Sequence, residues 1–378
     1  MIPYGRQNIS KKDIDAVIDV LQSDFLTQGP VIPQFESAIS KYCGCKHALT
    51  SNSATSALHI ACLSLGLSKG DWLWTTPITF VATANCGLFC GAKVDFVDID
   101  PKTYNMCCSE LEKKLLKAKQ KKCLPKIVIP VHFGGQSCDM EKIMMLSKKF
   151  KFSVIEDASH AIGGKYNGVP VGNCNFSDIT IFSLHPVKII TSGEGGLALT
   201  NNENLKTRME LFRNHGITRD PELMTKNSEK SWLYEQITLG YNYRMTDIQA
   251  ALGLSQMERL DEFVLKRNEL AQIYDNSLTD TPFQLQEVTS NVYSSRHLYV
   301  IRTSQKNRQT LFDKLKTQGI GVNIHYNPVH LQAYYKKLGF QKGDFPNSES
   351  YSKEAISIPL FPSMSKKQQT HIINTLKE

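Results

Sequence analysis

The run Lys126-Ile-Val-Ile-Pro-Val131, followed by Met140-Glu-Lys-Ile-Met-Met-Leu-Ser-Lys-Lys-Phe150 and then Ser153-Val-Ile-Glu-Asp157, reads as strand, helix, strand. Two short apolar runs separated by a helical pattern are the signature of a parallel crossover unit. The same alternation extends in both directions. Apolar runs at His47–Thr50, Trp72–Thr75, Lys93–Val97, Ile179–Phe182 and Gly195–Leu199 predict further strands, and Ser53–Leu65, Thr79–Leu88 and Ser109–Ala118 predict helices between them. The expected fold class is α/β, a mostly parallel seven-stranded sheet with helices on both faces. Ligands on such sheets bind beyond the carboxyl ends of the strands.

On the N-terminal side, Ser10-Lys-Lys-Asp13 has the form of a capping box opening a helix with Ile14, Val17, Ile18 and Leu21 on one face. Thr27-Gln-Gly-Pro30 interrupts it, and a second helix runs through Phe35, Ala38, Ile39 and Tyr42. Past Leu199 helices are expected at Glu203–Asn214, Thr246–Leu260 and Asp261–Leu278, with a polar, mobile loop over Thr218–Trp232. A second α/β unit follows, with strands at His297–Ile301 and Gly321–Ile324 and a helix at Lys306–Gln318. The length of 378 residues suits about two or three packing units. We therefore expect a large unit over residues 1–255, its N-terminal segment able to pack on the other, and a smaller C-terminal unit over 256–378.

Composition removes several classes. With 41% hydrophobic and 21% charged residues the chain is an ordinary globular one. No apolar run approaches the roughly 18 to 20 residues of a membrane span, and Met1-Ile-Pro-Tyr-Gly has no secretory pattern. A cytoplasmic protein without membrane contact is expected. The ten cysteines all lie between Cys43 and Cys174 and lack Cys-x-x-Cys spacing, so they read as reduced packing residues, with no metal expected. The net charge of +8 sits largely in lysine runs such as Lys113–Lys122, without the aromatic interleaving of a nucleic-acid surface.

Three segments carry chemistry. Asn52-Ser-Ala-Thr-Ser-Ala-Leu58 follows a strand and opens a helix of small residues, the form of an anion cradle and equally of a plain Ser53 N-cap. Asp157 ends a strand and precedes Ala-Ser-His160, where an acid faces the ligand zone or simply makes a turn. Lys188 lies 31 positions on, in Phe182-Ser-Leu-His-Pro-Val-Lys188-Ile-Ile-Thr-Ser-Gly-Glu-Gly-Gly196. A desolvated lysine is a nucleophile able to form a Schiff base, whereas an exposed one is a surface group. Cradle, acid and lysine together match what pyridoxal phosphate requires: an anchor, a pyridinium partner and an imine.

On these residues, with Leu26-Thr-Gln-Gly29, Gly240-Tyr-Asn-Tyr-Arg-Met245 and His325-Tyr-Asn-Pro328, the whole chain resembles the pyridoxal phosphate (PLP)-dependent nucleotide-sugar aminotransferases of the aspartate aminotransferase fold (fold type I). Within them it looks like the 4-aminotransferases of pseudaminic acid biosynthesis. The resemblance implies Lys188 as the Schiff-base lysine and Asp157 as partner of the pyridine nitrogen. It implies Ala54, Thr55 and Ser183 at the phosphate, Phe80 stacked on the ring, His160 in the cofactor set, and Asn242 reaching the phosphate of a partner subunit in a homodimer. Substrate contacts carry over to Tyr4, to Phe25, Leu26, Thr27 and Gln28, and to Ile324, His325, Tyr326 and Asn327. The implied reaction takes an amino group from an amino acid through pyridoxamine phosphate to a UDP-linked 4-keto sugar. Arg213 and Arg244 are candidates for the donor's carboxylate, with structural ion pairing the plainer alternative. A different nucleotide keto-sugar, or a non-catalytic sugar-binding relative, are the competing readings; an intact Lys188 argues against the related dehydratases, in which histidine replaces it.

Overall fold

The computed structural model describes residues 1–225, 230 and 232–378. Within 126–157 the expected unit forms: Ile127–Val128 pairs in parallel with Ser153–Asp157, and the helix Met140–Phe150 crosses between them. The first strand is shorter than expected because Pro130 has no N–H to continue the ladder. Pro130 still accepts from Asp157 N at 2.9 Å, so the chain stays alongside its neighbour up to the acid.

Seven strands make the main sheet: β1 His47–Ser51, β2 Trp72–Thr75, β3 Lys93–Phe96, β4 Ile127–Val128, β5 Ser153–Asp157, β6 Ile179–Ser183 and β7 Gly196–Thr200, in the order β1-β7-β6-β5-β4-β2-β3. Only β7 runs against its neighbours. Its start therefore lies at the same edge as the ends of the others, with Gly196 paired to Ser51 and to Ser183. Side chains alternate between the faces as a two-residue period demands. Ile179 and Ile181 pack with helices α3 (Ala54–Ser64) and α4 (Ala82–Phe89), while Phe182, Leu197 and Leu199 pack with α2 (Val31–Cys43) and α8 (Asp247–Met257).

A three-stranded antiparallel sheet, β8 Gln284–Leu285, β9 Tyr299–Arg302 and β10 Ala355–Ile358, forms the second core with α10 (Gln305–Thr317) and α13 (Lys366–Lys377). The helix α9 (Leu260–Leu278) serves both cores: Leu260, Phe263 and Val264 face the first, Leu270, Tyr274 and Leu278 the second. The N-terminal segment joins the second core through Ile2, which exchanges backbone hydrogen bonds with Gly319 and Gly321. The strand expected at Gly321–Ile324 reduces to single bridges, Ile2 to Ile320 and Asn323 to Ser357. Pro3 cannot donate, and the Asn323 side chain takes the Ile324 N–H at 2.8 Å.

The capping box at Ser10 forms and opens α1 (Lys11–Leu21), but the helix turns its apolar stripe outward. Ile14, Ile18 and Leu21 are exposed, while Asp13 is fully buried and accepts from Ser255, Gln256 and Arg259 on and after α8. One polar network therefore overrides the hydrophobic pattern. The loop expected over Thr218–Trp232 includes residues 226–229 and 231, which lie outside the described residues; Thr218 itself pairs with Glu235. No helix among the described residues is long and apolar enough to cross a membrane.

Candidate active site

A cavity of about 840 Å³ opens at the carboxyl edge of the main sheet. At its floor β1 ends and Ser53 caps α3: its hydroxyl accepts the Ser56 N–H at 3.1 Å and its carbonyl the Ala57 N–H at 3.1 Å. Among the described residues no acceptor takes the N–H groups of Ala54 and Thr55, which stand as open donors at the positive end of the helix. Gly196 passes directly beneath. A Cβ there would lie 2.4 Å from Ser53 O and 2.5 Å from Ala54 N, so only glycine lets β7 reach the helix start. Ser183, at the end of β6, lines the same wall.

Asp157 ends β5 in a buried position. Its Oδ2 accepts from Thr83 Oγ1 at 2.6 Å, and its Oδ1 from the Ser159 N–H at 3.1 Å and hydroxyl at 2.6 Å. Thr83 Oγ1 has donated its proton to Asp157, so the Thr79 hydroxyl, 2.7 Å away, donates to Thr83. Thr79, Thr83 and Ser159 escaped the sequence reading. The four-residue spacing of two threonines at a helix start was the available signal. Between them Phe80 stays exposed at the cavity mouth, a ring surface free to stack.

Lys188 comes from the loop between β6 and β7, which is clamped by Leu184 N to Gly195 O, Ser192 N to Leu184 O and the buried side chains of Ile189 and Ile190. No hydrogen bond or ion pair among the described residues engages its Nζ. Desolvation pushes its pKa down to about 8, against the upward pull of Asp157. It is a cation that gives up its proton near neutral pH.

The opposite wall is made by Tyr4, Asn323, Ile324, His325 and Tyr326. His325 shares a hydrogen bond between Nδ1 and Ser357 Oγ at 2.8 Å, and the Tyr4 ring lies 5.4 Å from it. Burial and the charge of Lys188 hold His325 down at about 3. His160 is bound at both nitrogens, to the Gly134 N–H at 3.3 Å and to Tyr326 Oη at 3.2 Å. His297, a cavity residue that the sequence reading missed, lies 4.4 Å from the His160 ring. Burial lowers the pKa of both rings well below the ordinary imidazole range. A buried histidine leading into an apolar strand carries no local signal to separate it from a packing residue.

Of the residues singled out in the sequence, Tyr4, Ala54, Thr55, Phe80, Asp157, His160, Ser183, Lys188, Ile324, His325 and Tyr326 line this one cavity. Phe25, Leu26, Thr27, Gln28, Asn242 and Asn327 do not, and all six are exposed. Thr27 bridges to Thr246 at the start of α8, and the Asn242 carbonyl accepts from Asn52 at the cavity rim. Arg213 is committed to Glu36 at 2.6 Å and to the Thr50 carbonyl; Arg244 bonds Asn214. Both arginines line a separate cavity of about 620 Å³, together with Gln28. The ten cysteines are free thiols, and none lines the main cavity. Among the described residues no group of three or more His, Cys, Asp or Glu could hold a metal ion.

Residues 7–377 match the DegT/DnrJ/EryC1/StrS aminotransferase family. The UDP-4-amino-4,6-dideoxy-N-acetyl-beta-L-altrosamine transaminase of Campylobacter jejuni (strain 81-176) is 39% identical over 382 residues, covering 100% of this chain and 96% of the relative. The spore coat polysaccharide biosynthesis protein SpsC of Bacillus subtilis (strain 168) is 36% identical, with 100% and 96% covered. Among solved structures, Helicobacter pylori PseC, described as an aminotransferase involved in the biosynthesis of pseudoaminic acid, superposes with a TM-score of 0.90 at 33% identity, covering 100% of this chain and 98% of that one.

Proposed function

The chain belongs to the DegT/DnrJ/EryC1/StrS aminotransferase family of PLP-dependent enzymes, and from that premise we propose that it moves an amino group from glutamate to C4 of UDP-2-acetamido-2,6-dideoxy-β-L-arabino-hex-4-ulose. The product is UDP-4-amino-4,6-dideoxy-N-acetyl-β-L-altrosamine, a step of pseudaminic acid biosynthesis. The observation that carries the chemistry is the convergence of Lys188, Asp157 and the α3 N-terminus on one cavity. The similarity to the Campylobacter transaminase supports the sugar.

The donor set fits PLP. Ala54 and Thr55 offer backbone donors to an anion with Ser183 beside them, Phe80 offers a ring face, Asp157 a buried carboxylate, and Lys188 an amine of lowered pKa. When bound, the cofactor supplies the electron sink that labilises a C–H bond. Asp157 holds a proton on the pyridine nitrogen, with Thr83 and Ser159 fixing the carboxylate against rotation. Lys188 Nζ takes the proton from the donor's α-carbon and delivers one to C4 of the sugar. Tyr4, His325 and Tyr326 present polar groups to the substrate, and burial keeps His160, His297 and His325 neutral beside Lys188.

Gly196→Ala tests the cradle. Its methyl group forces Ser53 and Ala54 aside, and the overpacking should weaken PLP binding by about tenfold or more in an absorbance titration, with the fold retained. Wild-type affinity would detach the α3 N-terminus from the phosphate.

We further propose a homodimer in which Asn242 and the Phe25–Gln28 segment complete the partner's site. The exposure of both, the bond from Asn52 at the cavity rim to the Asn242 carbonyl, and the exposed Ile14, Ile18, Leu21, Phe25 and Leu26 support this. We divide the chain at 255/256, since the second sheet is built wholly from later residues. Ten free thiols suit a reducing compartment, and we place the enzyme in the cytoplasm. Similarity to SpsC favours, as second reading, a different nucleotide-linked keto-sugar. Incubation with glutamate and a panel of UDP-4-keto-6-deoxy sugars, with products identified by NMR, separates the two. Amination of the altrose-type product at the highest kcat/KM is expected; equal rates on glucose-type sugars would sink the assignment and leave transamination standing.

A further inference from the structure

One hydrogen-bond chain in the cavity has its direction dictated by chemistry. A backbone N–H only donates, so the Gly134 N–H at 3.3 Å makes His160 Nδ1 an acceptor without a proton. The ring is buried, and the groups acting on it, Lys188 and His325, with the His297 ring tilted against it at 4.4 Å, are bases. Among the described residues no carboxylate is bonded to it to draw a second proton onto the ring. Its single proton therefore sits on Nε2 and is donated to Tyr326 Oη at 3.2 Å. The phenol accepts in that bond, so its own proton must point elsewhere. No other hydrogen bond among the described residues takes it, and Tyr326 lines the cavity.

We infer that His160 is a positioning residue: locked by Gly134 as the Nε2–H tautomer, it turns the Tyr326 hydroxyl into a donor directed at an acceptor oxygen of the bound substrate, the class to which a keto group belongs. The direction of the chain follows from the hydrogen bonds alone; the identity of the oxygen rests on the transaminase reading. His160 then acts on the substrate only through Tyr326. A neutral imidazole keeps this role across the working pH range, whereas a protonated one would have to break its bond to the Gly134 N–H.

Two measurements test this. In protein labelled with ¹⁵N-histidine, the signal assigned to His160 by its loss in His160→Gln should show the Nε2–H tautomer, with no titration from about pH 6 to about pH 8. An Nδ1–H tautomer, or protonation in that range, overturns the inference. For the enzyme saturated with PLP, Tyr326→Phe and His160→Phe should each lower kcat/KM for the keto-sugar by about tenfold. The double variant should fall no further than the weaker single one. His160→Gln, whose amide can accept from Gly134 and donate to Tyr326, should recover to within about twofold of wild type. Multiplying effects in the double variant, or failure of His160→Gln to recover, overturns the inference. If the transaminase reading itself fails, no form turns over, and the tautomer measurement still decides the direction of the chain.

Discussion

Lys188→Ala should cut turnover by about 10⁴-fold or more, because in the proposed mechanism one amine serves both as the attachment point of the cofactor and as the proton carrier. The variant should also lose the absorbance that borohydride bleaches in the wild-type enzyme. Retained turnover with retained bleaching would place the reacting amine elsewhere. The same substitution has a stability signature of fixed sign. In the folded chain Lys188 titrates at about 8, against 10.5 ordinarily. Between those values the unfolded chain binds the extra proton, so stability rises with pH through that window. Below it the folded protein carries a desolvated cation that opposes folding. The Tm of cofactor-free Lys188→Ala should therefore exceed wild type at about pH 7, and the gap should shrink toward about pH 10. A gap that did not change with pH would mean that Lys188 is well solvated.

Asp157→Asn is the second large effect. Opposite charges about 4 Å apart at an effective dielectric of about 20 interact by about 4 kcal/mol, which is about three pKa units on the pyridine nitrogen. Loss of the charge should lower kcat/KM by about 10³-fold even at saturating PLP. If added PLP restored the rate, Asp157 would be an anchor only. The fold should be weakened as well. Thr83 and Ser159 both donate to the carboxylate, and an amide offers one accepting oxygen, so one hydroxyl faces an N–H at a cost of about 1–3 kcal/mol.

The main sheet was legible because its strands are contiguous in sequence and buried on both faces, so apolar runs and turn signals suffice. All seven strands expected from 47 to 199 form, and the largest discrepancy, the short β4, traces to Pro130. The cradle, the acid and the lysine were visible because each sits where a strand ends. Thr83 and His297 were not, because their importance arises from what lies across the cavity: Asp157 is 74 positions from Thr83, and His160 is far from His297 in the chain. The outward stripe of α1 shows the complementary failure. A periodic apolar face predicts a helix well, but its partner is decided by Asp13 and residues more than two hundred positions away.

The reversed direction of β7 has a consequence for the reactive loop. Ser183 and Gly196 are direct partners across the sheet, so residues 184–195 leave and return at one point. The ends are already joined by the ladder, and the entropy of closing the loop is charged to sheet formation rather than to ordering the lysine. Breathing of distant parts of the chain does not change the separation of those ends. Lengthening the loop would cost little by the same logarithmic law. What anchors the loop next to Lys188 is the burial of Ile189 and Ile190 in the core, and a side chain that loosened that anchor would misplace the amine without disturbing a single strand.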